Sequence, residues 1–243
     1  MPEWIPYETS DEPALEVAID VDLDGDAAFR AAHPYLITIS ISGFSIDAGG
    51  QPDDTAAEGL FGLEQRAESV CAANGATPVC TVSGDGFYRI FAYATSSDVE
   101  APLRAALAGT GMTVDVRTGR DDAWATYEEY ALRGDDLENA RDADLIMQMQ
   151  EAGDDLSLDY VVTFEWSLAD PSRLREAVQA LRAGGYDVTE ASESDDIVAV
   201  QETMQLTEEN LERARKAIGG VLASFGAVYE GWDPDPDDEG NDA

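Results

Sequence analysis

The sequence predicts an α+β protein of two ferredoxin-like βαββαβ sandwich domains in tandem, each an antiparallel sheet with helices on one face. Two observations predict it. Short runs alternate apolar and polar residues at period two, with longer runs of helical spacing between them. The order strand-helix-strand-strand-helix-strand then occurs twice along the chain, which is the split βαβ pattern.

The first repeat begins at residue 36. Ile37, Ile39 and Ile41 alternate with Thr38, Ser40 and Ser42, a strand over 36–44. Asp53 or Asp54 offers an N-cap, and Leu60, Leu63, Ala67, Val70 and Cys71 then recur on one helical stripe until Asn74-Gly75 stops it. Thr77 to Val82 and Phe87 to Thr95 form a hairpin around Ser83-Gly84-Asp85-Gly86, residues suited to positive φ. Ser97 or Asp98 caps a second helix carrying Val99, Leu103, Ala106 and Leu107, and Met112 to Val116 closes the unit. A further strand over 14–22, with Leu15, Val17, Ile19 and Val21 on one side, adds to its edge.

Residues 121–153 read as mostly helical with polar breaks, and Gly134-Asp135-Asp136 is the expected boundary. The domains expected are therefore 1–134 and 135–233. In the second, Tyr160, Val162, Phe164, Trp166 and Leu168 alternate along a strand. Asp170-Pro171 starts a helix with Leu174, Ala177, Val178 and Leu181 inward, ended by Gly184-Gly185. Strands over 186–191 and 197–206 follow, joined by a turn at Glu193 to Asp196. Thr207 caps a long helix carrying Leu211, Ala214, Ile218, Val221, Leu222 and Phe225, and Ala227 to Tyr229 is a short closing strand. The Asp/Glu/Gly/Pro-rich end, 234–243, is expected to be a disordered acidic tail.

Charge is the strongest compositional signal. Asp and Glu number 51 against 14 Lys and Arg, a net charge of −37 in 243 residues, and Lys216 is the only lysine. Direct binding of nucleic acid, which rests on cations displacing counterions, is disfavoured, and so is an anionic membrane surface. The charge has two readings: solubility in a salty cytoplasm, a halophilic adaptation, or recognition of a basic protein segment. The N-terminus, Met1-Pro2-Glu3-Trp4, lacks the basic and apolar runs of a secretory signal, and no apolar stretch approaches the roughly 20 residues that span a bilayer. With only Cys71 and Cys80, both reading as small core residues, a reducing cytoplasm is the expected location.

Three groups of residues carry a resemblance. Gly153-Asp154-Asp155 precedes the aromatic strand, Gly185-Tyr186-Asp187-Val188 joins helix to strand, and Ala227-Val228-Tyr229-Glu230-Gly231-Trp232 follows the last helix. In these the second half resembles RraB, the protein regulator of ribonuclease E activity. The first half is similar to an uncharacterised bacterial domain often joined to RraB-like domains, through Trp4, Tyr7, Leu63-Glu64, the Gly84–Arg89 hairpin, Trp124 and Tyr127. The resemblance implies a ferredoxin-like fold, no catalytic residues, no cofactor, and inhibition of a ribonuclease by protein contact. RraB-like sequences tend to carry basic or histidine residues around the first strand; here stand Asp159, Thr163 and Glu165, so the partner is open to differ.

Plain packing competes with a functional role at each candidate site. His33 is the only histidine, which leaves little room for a nucleophile-base pair or a zinc site. Asp20, Asp22, Asp24 and Asp26 alternate like the start of a calcium loop. They supply the alternative function, a calcium- or manganese-dependent enzyme or binding protein using Asp20, Asp22 and Asp24, but Ala31 stands where a bidentate glutamate belongs. Phe87, Arg89, Phe91 and Tyr93 share a strand face, resembling base-stacking strands of RNA-recognition domains, against which the charge argues. Tyr160, Phe164, Trp166, Tyr229 and Trp232 are the candidates for protein binding, either as an aromatic sheet face or, on the plainer reading, as core. The function expected is thus that of a non-catalytic regulator whose partner is a protein, a ribonuclease or a basic protein segment.

Overall fold

The computed structural model describes residues 2–10, 13–47, 50–84, 86–192 and 197–236. Asp85 of the hairpin turn, Gly49, the turn at Glu193 to Asp196, and residues 237–243 of the expected tail lie outside the described residues. The chain divides into two compact units, Met1–Ala140 and Arg141–Ala243.

In the first unit the strands are β1 (Trp4–Glu8), β2 (Glu16–Asp20), β3 (Tyr35–Ser42), β4 (Ala76–Gly84), β5 (Phe87–Ala94) and β6 (Thr113–Arg120). They form one antiparallel sheet in the order β1-β2-β4-β5-β3-β6. The last four strands have ferredoxin-like order, and β2 and β1 extend the sheet beyond β4. Helices α1 (Ala27–Ala32), α2 (Asp54–Ala73), α3 (Glu100–Ala106) and α4 (Ala125–Tyr130) complete the unit, together with the start of α5 (Asp135–Ala152). Asp53 caps α2 as expected, its carboxylate accepting from the Ala56 N–H at 2.9 Å.

The expectation of helices on one face needs correction here. On one face Ile37, Ile39, Ile41, Ile90, Ala92 and Val116 pack under Leu60, Leu63, Ala67, Cys71 of α2 and Leu103 of α3. On the other, Val17, Ile19, Val82, Phe91 and Tyr93 pack under Trp124, Tyr127, Leu137 and Ala140, which come from α4, its N-cap and α5. The reason lies in β5: Phe91 and Tyr93 on one side and Ile90 and Ala92 on the other make the strand apolar on both faces, so both must be covered.

Trp124 anchors the second layer. It is 1% exposed and stacks on Tyr93 with ring centroids 3.8 Å apart and planes 6° from parallel. Its indole N–H lies within reach of the Arg30 and His33 carbonyls at 3.2 and 3.1 Å. To hold this position it adopts a left-handed φ of 55°, the one non-glycine residue to do so among those described. The lone histidine is thereby accounted for: its backbone receives the indole, and its ring stacks on Phe29 at 3.9 Å.

The second unit contains β7 (Asp159–Leu168), β8 (Asp187–Ser192), β9 (Ile197–Gln205) and β10 (Ala227–Pro236), with helices α6 (Leu174–Ala183) and α7 (Glu208–Leu222). The antiparallel order β10-β7-β9-β8 is ferredoxin-like. Here the helices do share one face: Leu174, Ala177, Leu181, Leu211, Ala214, Ile218 and Leu222 bury against Tyr160, Val162, Phe164, Trp166, Leu168, Val198 and Val200. Asp170 and Thr207 cap their elements as the sequence suggested, accepting from Ser172 N and Asn210 N. β10 exceeds its expected length, pairing with β7 through Pro236 and so taking in residues 234–236 of the stretch expected to be disordered.

Candidate protein-binding face

The four aspartates of the calcium-like run do not converge. Asp20 is 3% exposed and accepts from Asp22 N at 3.2 Å; burial pushes its carboxyl above the usual range. Asp22 accepts from Glu3 N at 3.0 Å, and Asp26 caps α1 by accepting from Phe29 N at 2.9 Å. Asp24 pairs with Arg133 at 2.8 Å and Arg30 at 3.3 Å. Each carboxylate is committed to a local turn or an ion pair, and among the described residues no group of three or more Asp, Glu, His or Cys side chains could hold a metal ion.

The aromatic residues of β7 are likewise inside. Tyr160, Phe164 and Trp166 are 4%, 0% and 7% exposed, on the face that the helices cover, which removes them from any docking surface of the folded unit. Close approach of α7 fixes Trp166: a Cβ on Gly219 would stand 2.8 Å from its ring. Tyr229 and Trp232 are half-buried and pack against the same core.

Their spacing has a physical cause. In a regular strand, residues three apart point to opposite faces. The register of β10 against β7 shifts between Tyr229 and Gly231, so that Tyr229 lies opposite Trp166 and Trp232 opposite Phe164, both core positions. Gly231, at φ 137°, takes the backbone conformation that this bulge requires. The Tyr-x-Gly-Trp run is a bulge that turns two aromatic residues inward.

Trp232 then reaches a polar group that sequence reasoning did not single out. Its indole N–H donates to Asp142 Oδ1 at 2.7 Å, and Arg215 Nη1 donates to Asp142 Oδ2 at 2.5 Å. Asp142 and Arg215 are 2% and 4% exposed. Burial raises the Asp142 carboxyl above its ordinary range, against the lowering pull of the Arg215 charge and the Trp232 hydrogen bond. One signal was available: Arg215 stands within the apolar stripe of α7, beside Ala214 and between Leu211 and Ile218. Asp142 gave none, because α5 is acidic and has no clear apolar stripe.

The opposite face of the four-stranded sheet has a different chemistry. Along β7 it presents Asp159, Val161, Thr163, Glu165 and Ser167; along β9, Ile197, Ala199, Gln201, Thr203 and Gln205; along β10, Val228, Gly231 and Asp233. Glu165, Thr203, Val228 and Asp233 are exposed, Val228 at 59%. Gln201 Nε2 donates to Thr163 Oγ1 at 3.0 Å, and Ser167 donates to the Glu230 carboxylate, which fixes that acid on the same face. The described positions of these three strands on this face carry carboxylates, amides, hydroxyls and small apolar groups, and no cation. Asp159, Thr163 and Glu165 all lie here.

No curated protein matches the chain. A crystal structure of an unknown protein from Galdieria sulphuraria aligns at 9% identity over 84% of this chain and 98% of that one, with a TM-score of 0.24, and a likeness that low carries no argument. The family model described as RraB, regulator of ribonuclease activity B, matches residues 139–233, a span that opens three residues before Asp142 and closes one after Trp232. The C-terminal part of this chain is thus RraB-like over residues 139–233.

Proposed function

We propose that the chain is a non-catalytic regulator that inhibits a ribonuclease of the ribonuclease E kind by protein contact. On this reading the sheet face carrying Val161, Glu165 and Val228 is the docking surface, and a basic protein segment is what meets it. The RraB match supports the regulator class. The observation that carries the location is the sorting of the four-stranded sheet into a face buried by α6 and α7 and a face left with carboxylates around exposed Val228. An exposed valine on the edge strand with Glu165 and Asp233 on the same face suits a partner segment that carries both apolar and basic groups.

Purified full chain titrated into a ribonuclease E cleavage assay on a short RNA tests this. Cleavage should fall saturably, a complex should sediment at low salt, and Glu165→Lys with Asp233→Lys should abolish both. Unchanged cleavage with no complex at low salt rejects the reading. Inhibition untouched by the two charge reversals rejects the assigned face.

A further inference from the structure

Among the described residues of the first unit, one guanidinium, that of Arg89, makes no hydrogen bond or ion pair. Phe87, Arg89, Phe91 and Tyr93 share one face of β5, but two of the four are covered: Phe91 is stacked by Tyr130 at 5.9 Å and Tyr93 by Trp124 at 3.8 Å. Base stacking by this row is thereby excluded. Phe87 and Arg89 remain half-buried at the other end of the strand. Across the ladder, Ser40 of β3 lies opposite Arg89, and Ser42 opposite Phe87, which puts both hydroxyls on the same face.

The Arg89 guanidinium lies 4.4 Å from the centre of the Phe87 ring. Stacking occupies the flat side of a guanidinium and leaves its in-plane N–H fork free, the edge that recognises an oxyanion. Arg30, Arg104, Arg117, Arg120 and Arg133 of this unit each pair with a carboxylate, while exposed Arg66 bonds the Gly62 carbonyl. Among the described residues Arg89 has no hydrogen bond or ion pair, and neither Ser40 nor Ser42 uses its hydroxyl. In a chain of 51 acids, a half-buried guanidinium with no carboxylate partner among the described residues is suited to an anion from outside.

We propose that Arg89, flanked by the Ser40 and Ser42 hydroxyls, is a binding site for a single oxyanion group, a phosphate or carboxylate carried by a small molecule. The field of a chain at −37 selects the size of the ligand: one oxyanion pays little repulsion, whereas a polyanion such as RNA pays it along its whole length.

The test is a titration of 15N-labelled full chain with sodium phosphate, and separately with sodium acetate, at ionic strength held constant with sodium chloride. The Arg89 Nε–Hε signal should move saturably with one anion or both, identifying the oxyanion, while that of Arg66 should not. Arg89→Gln should abolish the saturable shifts at the Ser40 and Ser42 amides, and Ser42→Ala should weaken the apparent affinity by roughly threefold. Arg89 shifts that stay linear and match those of Arg66 overturn the proposal in the wild-type chain alone, whatever the variants do. So does a response to an oligoribonucleotide and to neither small anion.

Discussion

Asp142 and Arg215, both nearly inaccessible, are joined at 2.5 Å within the second unit, and the second oxygen of Asp142 receives the Trp232 indole. A helix near the start of the RraB match, the long helix and the closing strand thus meet on one carboxylate. Breaking such a pair from one side strands a buried charge, at a cost of about 3–5 kcal/mol, whereas replacing both partners by apolar groups is often close to neutral. Asp142→Ala should therefore lower the denaturant midpoint of the second unit markedly. The double variant Asp142→Leu with Arg215→Met should recover most of the loss. Equal losses in the single and double variants would show that the charges are not coupled.

The bulge at Glu230 sets the inward direction of Trp232. Removing one residue from a strand moves every later side chain to the other face. Deleting Glu230 should therefore turn Trp232 away from Asp142, exposing the indole and shifting its fluorescence to longer wavelength. Glu230→Gln keeps the residue count and should leave that emission and the stability within about 0.5 kcal/mol of wild type, as for surface changes generally. A deletion variant with unchanged emission would contradict the register shift.

Much of this architecture was legible in the sequence because it rests on periodicity. The alternation of Ile37, Ile39 and Ile41, that of Tyr160 through Leu168, and the helical stripes of α2 and α7 each declare one buried face. β1 was not legible: Pro6 breaks its pattern, and proline is tolerated there because the strand is at the sheet edge. α1, at six residues, is too short to show a stripe. The end of β10 is written in Asp and Pro, the composition of a tail, and is strand only because β7 is long enough to pair with it. The candidate site was less legible still. An aromatic row reads the same whether it faces a partner or a core, and among 51 acids nothing marks Asp142 as the buried one.

In the first unit, Asp24 and Glu128 share Arg30 and Arg133. The Arg133 hydrogen bond holds the Asp24 carboxyl below its usual range, and Arg30 with Arg133 does the same for Glu128. A carboxyl whose folded pKa lies below its unfolded value adds stability above the unfolded value, near 4 for these groups, and loses it as pH falls through the folded one. The wild-type chain should accordingly show an acid-side loss of melting temperature below about pH 4 that Asp24→Asn with Glu128→Gln lacks. The comparison has to be a difference between the two proteins, because protonating the other carboxylates relieves the repulsion of a −37 chain and acts in the opposite sense. Parallel melting curves from pH 5 to 2 would mean that the cluster contributes nothing measurable, a common result for exposed pairs.

The two cysteines lie on opposite faces of the six-stranded sheet, Cys71 in the core under α2 and Cys80 in the core under Trp124. Both are free and essentially inaccessible. Burial, with the nearby Glu68 charge, pushes the Cys71 thiol up to about 11; burial, with Glu129, pushes Cys80 up to about 12. A thiol is nucleophilic only as the thiolate, and at pH 8 a group titrating near 11 is ionised on the order of one part in a thousand. Native chain should accordingly release no thiol colour with an aromatic disulfide reagent at pH 8 while the unfolded chain reacts within minutes, releasing two equivalents. The native reaction, when it comes, should follow the unfolding rate and not the reagent concentration, because access requires opening a core. One fast equivalent in the native state would place a cysteine at the surface and contradict the packing of that face.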